Sequence, residues 1–136
     1  MKKTILFVVA MLLASNLYAG DLSFKQVMQQ LGSDYSDLDR AILWEDFDAA
    51  AEAAHAIAHH DKPSKQQRMK IMGILGGEMP NFKKADGNVH ELAVKIEEAA
   101  RVKDMQLLIQ RQSQMLSACM TCHTAYRNSV VSGLNR

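Results

Sequence analysis

The stretch SFKQVMQQLGSDYSDLDRAIL, residues 23–43, decides the fold class. Phe24, Val27, Met28, Leu31, Tyr35, Leu38 and Ile42 recur in it at steps of three and four. On a helix these positions share one face, whereas a strand would scatter them over both. Ser23 and Gln26 have the spacing of a capping box, so the helix starts there. Gly32 lies inside the pattern and costs about 1 kcal/mol relative to alanine. A glycine at that point leaves room for something bulky to approach the backbone.

The same period continues outward. Trp44-Glu45-Asp46 reads as a short turn, followed by a second helix with Phe47, Ala50, Ala51, Ala54, Ile57 and Ala58 on one face. That alanine face is thin, so a neighbour can come close. His59-His60-Asp61-Lys62-Pro63 ends the helix. Residues 64–88 are the least regular part. Ser64 and Gln67 cap a short helix carrying Met69, Met72 and Leu75, and Gly76, Gly77 and Pro80 then break the chain. This segment is read as a long crossover.

A third helix is expected from about Asn88, with Glu91 at capping-box spacing and Val89, Leu92, Ala93, Ile96, Ala99 and Ala100 as its stripe. Asp104 caps a fourth, with Leu108, Met115, Cys119, Cys122 and Tyr126 inward, running to about Asn128. Two short connections and one long one joining four amphipathic helices predict an all-α fold, an antiparallel four-helix bundle with one long crossover.

Composition agrees. The 136 residues include only seven glycines and two prolines, and the formal charge is +1. Such a balance gives no strong pull toward nucleic acid or membrane. Lys2 and Lys3 precede an apolar run, Ile5 to Ala14, of about ten residues, too short to span a bilayer and suited to a signal peptide. With a cut after Ala19, residues 1–19 form the signal and 20–136 a single exported, periplasmic domain. Loss of the two lysines takes the formal charge from +1 to −1. Both cysteines sit in one CxxC motif, so no disulfide framework holds the fold.

The motif is CMTCH, residues 119–123. Positions i, i+3 and i+4 share one helix face. Cys119 and Cys122 can therefore reach vinyl groups on one edge of a porphyrin, with His123 beneath the iron as axial ligand. The spacing is that of covalent haem c attachment, one haem per chain. Two other readings of the residues stand beside it. A redox dithiol is expected near a βαβ pattern, and a zinc site needs further Cys or His ligands. No acid–base pair or nucleophile points to an enzyme. None of the thirteen residues after His123 is Met or His, so any distal iron ligand lies upstream.

A helical, exported chain of this size with Cys119-Met-Thr-Cys-His-Thr-Ala-Tyr-Arg127 near its C-terminus resembles the class II cytochrome c family. That family comprises cytochrome c′ and its low-spin, methionine-ligated relatives. The likeness covers the layout of the chain after the signal, and its specific part is the nine-residue motif. It implies a distal face formed by the first helix. In cytochrome c′ an apolar residue there leaves the iron five-coordinate, and in the low-spin relatives a methionine binds it. Met28, four residues before Gly32, is similar to the low-spin pattern and is the candidate sixth ligand. Tyr126 and Arg127 match family positions beside the haem, and Phe47 and Phe82 are candidate haem walls. His55, His59, His60 and His90 are expected at the surface. The resemblance implies an electron carrier working with redox protein partners, and a homodimer is common in the family. With the sixth position open it implies instead a gas-binding haem protein for NO or CO.

Overall fold

A computed structural model describes residues 22–136, and the expected signal peptide lies outside the described residues. Five helices follow in order: α1 (Phe24–Leu43), α2 (Phe47–Ala58), α3 (Lys65–Leu75), α4 (Met79–Arg101) and α5 (Met105–Leu134). A single 3₁₀ turn, Gly76–Glu78, joins α3 to α4. The described residues contain no strand. Four of the helices, α1, α2, α4 and α5, make the bundle, and α3 lies in the long crossover.

The helix boundaries have local causes. Ser23 accepts from the Gln26 amide while the Gln26 side chain accepts from the Ser23 amide, a complete capping box. The two short connections repeat one device. Glu45 and Lys103 each adopt positive φ, 55° and 56°, which stops the preceding helix. The next residue, Asp46 or Asp104, then caps the following helix by accepting from Ala49 or Leu107. Each aspartate amide also donates back to a carbonyl of the helix just ended, Ala41 or Ala99. Ser64 caps α3 in the same way, through the Gln67 amide.

The crossover is more helical than the sequence suggests. α4 begins at Met79, well ahead of Asn88, and Asn88 and Glu91 fall inside it. Pro80 sits in its first turn, where a missing N–H costs nothing, so it starts a helix there. The break is Gly76, whose φ of 49° suits glycine. α5 likewise continues past Asn128 to Leu134. Its last turns dock on α3, with Val130 and Ile71 both buried and Ile74 seated over Gly133.

Packing runs α1 on α2, α2 on α4, and α4 on α5. At the centre lie the alanines Ala50, Ala51, Ala54, Ala93, Ala99 and Ala100, with Leu38, Ile96, Leu108 and Met115 fully buried among them. Burial of each large side chain stabilises by about 1.5–3 kcal/mol. Packing is looser on one side: α1 and α5 lie on the same core with much less backbone approach to each other than to their other neighbours. The buried charged side chain among the described residues, Asp34, accepts from Gln30 Nε2 at 2.8 Å.

Two glycines give opposite expectations. Gly32 is exposed, and a Cβ there would meet nothing within 4 Å, so no neighbour approaches the backbone at this point. Gly32→Ala should raise stability by about 1 kcal/mol from helix propensity. At Gly133 a Cβ would come within 2.6 Å of the Ile74 side chain. Gly133→Ala should lose stability, with about 1–3 kcal/mol of overpacking outweighing the propensity gain. Urea unfolding of both variants, with limited proteolysis of residues 65–78 in the second, checks the pair.

Candidate cofactor-attachment site

Cys119, Cys122 and His123 lie near the middle of α5, far from either end of that helix. Their spacing puts all three on adjoining positions of one face. Both cysteines are half-buried, and Cys119 packs against the core. His123 is exposed at the rim of this face. Burial pushes both thiols above their ordinary pKa, and the Asp86 carboxylate of α4 and Cys119 push Cys122 further. Tyr35 of α1 is also raised, first by burial, then by Asp39 and by Cys119. The thiols are thus within electrostatic reach of Tyr35 on one side and Asp86 on the other.

The seam between α1 and α5 is held by side chains at two levels. At one level Gln112 Nε2 donates to Tyr35 Oη at 2.5 Å and to Asp39 Oδ1 at 3.0 Å. At the other, Phe82 of α4 lies 6.2 Å from Phe24 and 5.4 Å, edge-on, from Tyr126. The two ties fix an antiparallel register. Met28 stands seven residues before Tyr35, and Cys119 stands seven after Gln112. Met28 stands four residues after Phe24, and Cys122 stands four before Tyr126. Equal rise along both helices brings half-buried Met28 to the height of Cys119–Cys122.

The remaining expected residues separate. Tyr126 and Phe82 join the aromatic arc beside the motif. Phe47 packs on the core just after the turn that ends α1, toward the other end from Met28, and is not part of this group. Arg127 is exposed. The Phe24–Phe82–Tyr126 arc was not legible as a unit, because its members lie on three helices. One signal was present: Phe24 and Tyr126 flank Met28 and Cys122 at the same four-residue step.

The donor set narrows the chemistry. Reactive CxxC thiols owe their nucleophilicity to a lowered pKa, often at a helix N-terminus. These thiols sit in mid-helix with raised pKa. Among the described residues, two groups of His and carboxylate side chains are placed to hold a metal ion, and neither includes a cysteine. Two half-buried thiols one turn apart, with a histidine next to the second, fit a covalently linked haem better than either a dithiol exchanger or a zinc site. No protein-family model, curated protein or solved structure matches the chain.

Alkylation tests the thiol environment directly. In the folded chain with both thiols free, iodoacetamide should react more slowly at pH 8 than with a free cysteine, because only the thiolate attacks. The rate should keep rising beyond the ordinary thiol value of 9.0, with a midpoint above it. A midpoint below 9.0 would return the dithiol reading.

Proposed function

We propose that the chain is an exported, periplasmic mono-haem cytochrome that carries electrons between redox protein partners. Cys119 and Cys122 would hold haem c through thioethers, and His123 and Met28 are the side chains that would ligate its iron. The observation that carries this reading is the CxxCH set on one face of α5, at the height of Met28 on α1. The resemblance to class II cytochromes c, carried by the same motif, points the same way.

When bound, haem supplies one-electron iron chemistry, and the chain's own residues set its terms. His123 offers a ring nitrogen from the solvent-facing rim of α5, which leaves a short path to a docked partner. Met28 offers a thioether, a poor donor to ferric iron, and so favours the reduced state. The alanine-lined interior acts in the same direction, because a low-dielectric surrounding disfavours the extra charge of the oxidised site. With His123 and Met28 both supplied by the chain, little rearrangement would accompany electron transfer. Among the described residues no helix is long and apolar enough to cross a membrane.

The test is expression with haem-maturation machinery followed by oxidised and reduced spectra, with and without CO. Covalent haem with a six-coordinate, low-spin, CO-insensitive spectrum is expected. Met28→Ala should then become high-spin and bind CO. A wild-type spectrum that is already high-spin and shifts with CO would remove Met28 as ligand and make the protein a binder of NO or CO. Failure to attach haem would overturn the haem reading altogether.

A further inference from the structure

A second group of donors lies where α2 ends against the middle of α4. His60 follows the last turn of α2, and Asp86 and His90 stand one helical turn apart on α4. Against expectation His60 and His90 are not free surface residues: both are half-buried and they face each other. His90 Nδ1 lies 2.7 Å from the Ala58 carbonyl, and His60 Nδ1 lies 2.7 Å from the Asp61 carbonyl. A carbonyl oxygen only accepts, so each Nδ1 must carry the hydrogen and donate.

That commitment determines the other nitrogens. With Nδ1 protonated, Nε2 of each neutral ring is a lone pair. The two Nε2 atoms lie 3.2 Å apart. The rings are stacked, with centroids 4.8 Å apart and 29° between their planes, so the Nε2 atoms are closer together than the ring centres. Two lone pairs this close repel unless something positive lies near both. Asp86 Oδ2 stands 3.6 Å from His90 Nε2 and adds negative charge at that point.

We propose that His60, His90 and Asp86 form a binding site for a divalent transition metal of the zinc class. Two imidazoles and one carboxylate are a usual zinc donor set, leaving a fourth position for water. Zinc–nitrogen bonds of about 2.0–2.1 Å in tetrahedral geometry place the two nitrogens about 3.3 Å apart, close to the spacing found here. The two Nδ1–carbonyl bonds are the outer contacts that orient histidine ligands. All three ligand atoms lie within 4.8 Å of one another. Bound metal would tie the end of α2 to α4 across the start of the crossover.

The other His and carboxylate group, His55, His59 and Glu97, lacks this arrangement. Arg101 donates to Glu97 through Nε at 3.1 Å and through a terminal nitrogen at 2.5 Å, and holds its carboxyl below the usual range. The carboxylate there is already neutralised, and His55 contacts it directly through Nδ1.

The test is calorimetric titration of the purified chain with zinc chloride, its thiols carried as haem thioethers or alkylated beforehand. Blocking them matters because the Asp86 charge is felt at Cys122, so free thiols would offer competing ligands. One zinc per chain is expected. His60→Ala and His90→Ala should each weaken binding at least about tenfold, while His55→Ala leaves it unchanged. His60 lies outside the helices, so that variant remains informative if loss of the His90–Ala58 bond disturbs folding, which circular dichroism reports. No heat of binding would mean that the pair shares only a proton, and the proposal falls. It falls equally if both variants bind as wild type, or if His55→Ala abolishes binding.

Discussion

Contact between the alanine faces of α2 and α4 sets the geometry of the rest of the bundle. Ala50, Ala51 and Ala54 of α2 and Ala93, Ala99 and Ala100 of α4 are buried in one core, together with Ile57 of α2 and Ile96 of α4. Most of the buried positions on these two helices are alanine, so the helices pack closely. α1 packs on α2, and α5 packs on α4. Leu38 from one flank and Leu108 and Met115 from the other close over the same core. The flanking helices reach that core with little backbone approach to each other, and the seam between them is where the CxxCH motif lies.

The environment of the motif follows from the same arrangement. A cysteine facing the alanine layer directly would be fully buried, and one facing outward would be solvated. Cys119 and Cys122 are intermediate, half-buried along the seam, with Tyr35 and Asp86 as their electrostatic neighbours. That keeps the thiols protonated and unreactive while leaving them open on one side. His123, one residue further round the helix, is carried to the rim.

Much of this was legible in the sequence, for a definite reason. Periodic stripes report which face of a helix is buried, and every stripe member named for α1, α2 and the second half of α4 is buried or half-buried. Side-chain caps at Ser23, Ser64 and Asp104 are local chemistry and were readable as such. Pro80 was misleading because a proline reads alike as a helix breaker and as a first-turn residue, and only the φ of Gly76 locates the true break. A glycine inside a helical pattern suggests a close approach, but Gly32 lies on the exposed side of α1 with open space beside it. The motif on α5 and the thioether on α1 could be named from sequence. Their common height could not, because it depends on Gln112 finding Tyr35 and on Phe82 bridging two other helices. The facing histidines were invisible for the same reason, since His60 and His90 are thirty residues apart.

The seam between α1 and α5 has a mechanical consequence. Where helix backbones are in contact, as between α2 and α4, their separation changes only if the core repacks, and close-packed interiors resist that strongly. Between α1 and α5 the spacing is set by Tyr35, Gln112, Phe24, Phe82 and Tyr126, all held by side-chain torsions. These side chains are half-buried, and turning one is a smaller rearrangement than moving two packed helices. The width of this gap is therefore set by rotamers, whereas the separation of α2 and α4 beneath it is set by core packing.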